Sequence, residues 1–241
     1  MLLAFNFYYT IEVIVILAIL FILSQIFKLF DIKGAIGAVA IGAIVSFTGN
    51  LKWLILLIIF AFVSHLATKY KFEEKLKRRQ QEGTMGERRI SNFAYGGAIG
   101  VVIAIFNYII PYNVPFFVMF AAAFAAITSD TLGSEIGVLY EKTYLITTLK
   151  RVETGINGGV SVQGTFAALF GSLTIALSYA ILSGAVNWVE PFALILVAGF
   201  LGSNVDSLLG ALFENKGEMT KGQVNLASSI VAVLFTLPFL L

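Results

Sequence analysis

Apolar residues gather along the chain into eight runs with short polar interruptions, at 11–27, 34–48, 54–68, 93–110, 114–128, 159–182, 192–212 and 224–241. None alternates with period two, as a barrel strand facing lipid on one side would. The runs therefore predict α-helices, which satisfy their own backbone groups in lipid. A hydrocarbon core of about 30 Å needs about 20 helical residues. The second and third runs fall short of this and must draw in flanking residues or re-enter from one side. The pattern predicts an all-α fold: a polytopic transmembrane bundle of about eight helices, with 1–241 as a single integral membrane domain. No basic stretch precedes the first run and no small-residue cleavage site follows it at 29–33, so it predicts a retained helix rather than a cleaved leader.

Composition agrees with the pattern: 59% of residues are hydrophobic and 12% charged, against about 45–50% and about 25% in a soluble domain. The chain has no cysteine and one histidine, His65. Disulfides, thiolate metal sites and histidine clusters are excluded, so any metal must be held by oxygen, which points to Mg²⁺ or a relative. Eight helices would put both termini on one side. Of the sixteen Lys and Arg residues, fifteen fall in the loops between helices one and two, three and four, five and six, and seven and eight, and only Lys52 falls in the others. The positive-inside rule predicts these four loops in the cytoplasm and both termini outside. The basic loop 69–91 reads as a helical extension followed by a flexible turn at 83–86, either a solvated orientation signal or a site for anionic headgroups or nucleotide. Its charges carry no aromatic interleaving, so no nucleic-acid partner is expected.

Acids at a membrane edge need a reason, because their charge is costly in lipid. The fifth run ends in TSDTLGSEIG, carrying Asp130 and Glu135, and the seventh in GSNVDSLLG, carrying Asp206. At 3.6 residues per turn Asp130, Gly133, Ser134 and Gly137 share a stripe, and Ser203, Asp206, Ser207 and Gly210 repeat it. Stripes of small residues let helices approach closely, so helix packing is one reading and a site within the bundle another. SEIGVLYE at 134–141 also parallels SLLGALFE at 207–214, consistent with a parallel repeat of helical hairpins in the C-terminal half.

The loop 142–161 combines Thr147, Thr148, Lys150 and Arg151 with the Gly-rich turn Asn157, Gly158, Gly159 and Ser161 before the sixth helix. Exposed backbone N–H groups beside a helix N-terminus attract phosphate, although the sequence is not a Walker A loop. Asn92 and Asn225, near the starts of the fourth and eighth helices, add amides on the same side, as helix caps or as ligand contacts.

These residues carry a family resemblance. The TSDTLGSEIG block at 128–137, ITTLKRVETGINGGVSVQGT at 146–165 and GSNVDSLLGA at 202–211 resemble the integral membrane phytyl-phosphate kinases, also described as transmembrane protein 19-like or domain of unknown function 92. The resemblance implies phosphoryl transfer from CTP to an isoprenyl monophosphate, phytyl or geranylgeranyl, and kinship with dolichol and phytol kinases and CDP-diacylglycerol synthases. Leu132 stands where a tryptophan is common, and the loop after Leu212 lacks an insertion some relatives carry. Such chemistry needs positioning and charge neutralisation. It would assign Asp130, Glu135 and Asp206 to Mg²⁺ or acceptor orientation and Lys150 and Arg151 to phosphates. The remaining loop residues would cradle the phosphates, with nucleotide, lipid phosphate and membrane lipids as partners. A small-solute or lipid transporter and a non-catalytic assembly protein are the other readings, and the oligomeric state is open.

Overall fold

The computed structural model describes residues 7–81, 83, 90–110 and 114–240, and of 90–94 the backbone only. Among them, eight of the nine α-helices follow the eight apolar runs: α1 (Phe7–Ile26), α2 (Ile32–Thr48), α3 (Leu51–Lys69), α5 (Ile90–Ile109), α6 (Phe116–Gly137), α7 (Val162–Ser183), α8 (Val189–Leu212) and α9 (Lys221–Leu240). The ninth, α4 (Phe72–Lys77), is a single short turn of helix in the basic loop. Six of these helices are long and apolar enough to cross a membrane, while α2 is apolar but shorter. The third run does draw in its flanks, with Asn50 capping α3 by accepting from Lys52 N at 2.9 Å.

The bundle is organised around α6, which packs against α3, α5, α7, α8 and α9, with α2 against α5 and α1 outside α2. Sixteen of its 22 residues are buried, an enclosure its all-round apolar sequence permits. Packing changes character along this helix. In its first half Phe120 meets Trp53 (4.6 Å between centroids) and Phe124 (4.7 Å), and Phe124 meets Phe60 (5.2 Å). Further along, small residues bring backbones together. A Cβ on Gly171 of α7 would lie 2.8 Å from Thr128 O, and one on Gly202 of α8 would lie 2.5 Å from the Ala126 Cβ. Lipid supplies no hydrophobic drive for helices to associate, so such close van der Waals contact is what holds them. Ser129 adds a cross-helix hydrogen bond, donating to Ala168 O of α7 at 2.8 Å.

Between α6 and α7 the chain departs from the expected loop. A three-stranded antiparallel sheet forms from β1 (Thr143–Leu145), β2 (Arg151–Val152) and β3 (Gly159–Val160), in the order β2-β1-β3, with Tyr144 opposite both Arg151 and Val160. The helical period of the flanking runs gives no hint of it, since two- and three-residue strands are too short to leave a period-two signature.

Candidate functional site

The C-terminal ends of α6 and α8, the N-terminal ends of α7 and α9, and the small sheet enclose a cleft of about 250 Å³. Asp130 and Asp206 both line it. Gly199 and Gly202 of α8 abut Ala125 and Ala126 of α6, so the two helices run side by side in one direction. That register brings their aspartates to one level. Close to both stands a cation that the sequence had marked only as a loop charge. Lys221 Nζ lies 3.6 Å from Asp130 Oδ2 and 3.9 Å from Asp206 Oδ1. Two desolvated carboxylates side by side repel, and the ammonium within 4 Å of both offsets that repulsion.

Helix α9 presents the other contacts to Asp206. Thr220 caps it through a reciprocal box: Gln223 Oε1 accepts from Thr220 N at 2.8 Å, and Thr220 Oγ1 accepts from Gln223 N at 3.4 Å. The cap fixes Lys221 in the first turn. Ser228 Oγ donates to Asp206 Oδ2 at 3.0 Å. The Asn225 amide, oriented by the acceptors around it, donates to the same oxygen at 2.9 Å and to Lys221 O at 3.3 Å. Asn225 is therefore not the helix cap; it orients the carboxylate.

Glu135 is placed differently. Its Oε2 accepts from Lys75 Nζ at 2.7 Å and its Oε1 from Thr68 Oγ1 at 2.8 Å. Lys75 also donates to Ala67 O (2.7 Å) and Thr68 O (3.1 Å), closing the end of α3. Its side chain is 0% exposed, which corrects the reading of 69–91 as a wholly solvated loop. Asp130, Glu135 and Asp206 all border the cleft, but both oxygens of Glu135 are taken by Lys75 and Thr68, on a side of α6 turned away from Asp130. Five residues separate Glu135 from Asp130, which puts them about 140° apart around the helix. Among the described residues no three carboxylate or imidazole side chains form a group that could hold a metal ion. Glu214, after α8, does line the cleft with Asp130 and Asp206.

The loop 142–161 divides in two. Asn157, Gly158, Gly159 and Ser161 line the cleft. The turn is pinned by Asn215 Nδ2 donating to Asn157 O (2.9 Å) and by Ile146 N donating to Gly158 O (2.9 Å). Ser161 caps α7, its Oγ accepting from Gly164 N at 3.1 Å. Thr147, Thr148, Lys150 and Arg151 are exposed on the hairpin and do not line the cleft. The Asn92 side chain and most of the expected turn at 83–86 lie outside the described residues.

Sequence reading missed Lys221, Glu214, Ser228 and the burial of Lys75. One local signal did exist. A lysine in the first turn of a helix opposes the positive end of the helix dipole, and such breaches of local preference concentrate at functional sites.

Fold and cleft together define a polytopic integral membrane protein with a charged, oxygen-rich site at the ends of its helices. The family model described as Integral membrane protein DUF92 matches residues 15–234, and the chain belongs to that family. An uncharacterized membrane protein of Methanocaldococcus jannaschii is 34% identical over 208 residues, 85% of this chain and 83% of its own. Two Arabidopsis thaliana proteins are similar over less of their lengths. Protein VTE6, chloroplastic, is 29% identical over 70% of this chain and 54% of itself. Protein PGR is 38% identical over 36% of this chain and 34% of itself. No solved structure matches the chain.

Proposed function

We infer that the protein is a membrane-embedded phosphotransferase, passing the terminal phosphoryl group of a nucleoside triphosphate to an isoprenyl monophosphate. CTP as donor and a phytyl or geranylgeranyl acceptor follow from the motif resemblance. The observation that carries the reading is the meeting of the Asp130–Lys221–Asp206 cluster and the Gly158-Gly159 turn in one cleft at the basic end of the bundle. With those basic loops in the cytoplasm, soluble nucleotide reaches the cleft directly, and a lipid phosphate keeps its tail among the helices.

The donor set fits Mg²⁺, which is usually held by one or two carboxylates plus substrate phosphates rather than by an all-protein cage. Glu135 borders the cleft but is paired to Lys75, which leaves Asp130, Asp206 and Glu214 gathered beside the Lys221 ammonium. A triphosphate brings further negative charge to these acids, and a divalent ion would offset it. Asp130 and Asp206 would hold the ion, which neutralises phosphate oxygens when bound.

The remaining work falls to the chain. The first residues of α7, beside the Gly158-Gly159 turn, would offer backbone N–H groups to phosphate, the Gly159 N–H itself being taken by Ile156 O at 2.9 Å, while Asn225 and Ser228 keep Asp206 aimed. One oxygen of the lipid phosphate attacks the γ-phosphorus. The bond to the β,γ-bridging oxygen breaks, and the nucleoside diphosphate leaves with that oxygen and its electron pair. The second pKa of a phosphate monoester is about 6, so the attacking oxygen carries no proton at neutral pH and needs no general base. The carboxylates act through position and charge. Lys150 and Arg151, exposed beside the cleft, would steer anions toward it. A transporter site would sit near the midplane, where α6 is instead packed by Phe120, Phe124 and alanines.

The test is direct. Purified protein with Mg²⁺, γ-labelled CTP and phytyl or geranylgeranyl phosphate should yield a labelled lipid diphosphate. Asp206→Asn should cut turnover by about 100-fold or more, the scale of losing one transition-state contact. Lys150→Ala should mainly raise KM, by a factor that shrinks with salt. Folded protein that makes no diphosphate from CTP or ATP with either lipid would end this reading.

A further inference from the structure

We propose that Lys221 is an exchangeable cation: it balances Asp130 and Asp206 before nucleotide binds, yields them to the metal that arrives with the nucleotide, and moves onto the phosphates. The proposal rests on the phosphotransferase reading and adds to it a residue that touches the substrate. The three sequence blocks that carry the family resemblance, at 128–137, 146–165 and 202–211, do not include this lysine.

The two buried-acid partners in this protein are built differently. Lys75 has three acceptors within 3.1 Å and a side chain 0% exposed, so it is locked. Lys221 stands 3.6 and 3.9 Å from its carboxylates with its side chain 49% exposed. Charge-assisted N–H···O contacts run to about 2.7–2.9 Å, so Lys221 is held by the field of the acid pair rather than by short hydrogen bonds. It also sits in the first turn of α9, where the helix dipole disfavours a cation. Its position is favourable only while both carboxylates are free to face it. A metal shared by the same oxygens removes that attraction and repels the ammonium, and the flexible four-carbon stem lets it turn to phosphate in the same cleft.

The acid it leaves behind stays in place. Asp206 Oδ2 is held by Ser228 and Asn225, neither of which depends on the ammonium. Partners of this kind keep a metal-binding carboxylate oriented. Lys221 and the metal thus compete for Oδ1 of Asp206 and Oδ2 of Asp130 and cooperate on the phosphates.

Competition predicts a gain where a strut would give a loss. Lys221→Met keeps the length of the stem and removes the charge. Mn²⁺ binding, measured by electron paramagnetic resonance without nucleotide, should be tighter in Lys221→Met than in the unchanged protein. The gain should be at least about tenfold, within the range usual for coupled ligands, while turnover falls. Lys221→Arg should leave Mn²⁺ binding near that of the unchanged protein, and both variants are purified in Mg²⁺ to secure folding. Mn²⁺ binding that is equal or weaker in monodisperse Lys221→Met overturns the exchange. So does a failure of Lys221→Met to fold even in Mg²⁺ while Lys221→Arg folds, since the lysine is then a strut. An unchanged protein that makes no lipid diphosphate, and binds no Mn²⁺ with CTP present, would instead end the phosphotransferase reading.

Discussion

Lys75 offers the sharpest test of the packing. From sequence it reads as one of many loop charges whose removal should be nearly silent. In the structure its side chain is fully buried and paired to Glu135 at 2.7 Å. Lys75→Met strands a buried carboxylate and removes the donor to two carbonyls at the end of α3. Breaking one partner of a buried pair costs about 3–5 kcal/mol. In a chain of this size that corresponds to a fall in Tm on the order of 10 °C. The double variant Lys75→Met, Glu135→Leu removes the stranded charge and should recover most of the loss. A residue of about 1–3 kcal/mol should remain for the unsatisfied Ala67 and Thr68 carbonyls. Thermal unfolding in one detergent at one scan rate compares the set, because membrane proteins often unfold irreversibly. A loss below about 1 kcal/mol in the single variant, or a double variant as unstable as the sum of its singles, would refute the buried pair. Metal response should be unaffected in the double variant, which separates Glu135 as a strut from Glu135 as a metal ligand.

Two further outcomes follow from particular positions. Gly158 has φ +77°, and a Cβ there would lie 2.5 Å from Ser207 O and from the Ala211 Cβ. Gly158→Ala should therefore lift the turn off α8, cost about 1 kcal/mol or more, and raise KM for nucleotide, read by steady-state kinetics; unchanged KM would exclude the turn from the site. The charge asymmetry of the loops predicts that, with no native cysteine in the chain, a cysteine at 113 reacts with an impermeant thiol reagent in intact cells and one at 83 does not. The reverse labelling would put the cleft outside.

What the sequence determined by itself was everything that lipid enforces. In a bilayer each span must be apolar and internally hydrogen-bonded, so eight runs became eight helices. Asp130, Glu135 and Asp206 had to fall toward the ends of their helices, where charge is tolerated. The short second run stayed short, as α2 with 17 residues. What only the tertiary structure decided was which charge meets which. Asp130 and Glu135 lie on different faces of α6, and the neighbour on each face is a matter of packing. Small residues drew α8 alongside α6 and brought α9 with it, setting Lys221 beside Asp130 and Asp206. The turn after α3 returned Lys75 to Glu135. Both lysines count equally toward orientation in the sequence, because hydropathy and charge rules sum over a loop. A carboxylate's partner is fixed by a few ångströms of separation across the bundle, and no one-dimensional pattern records that distance.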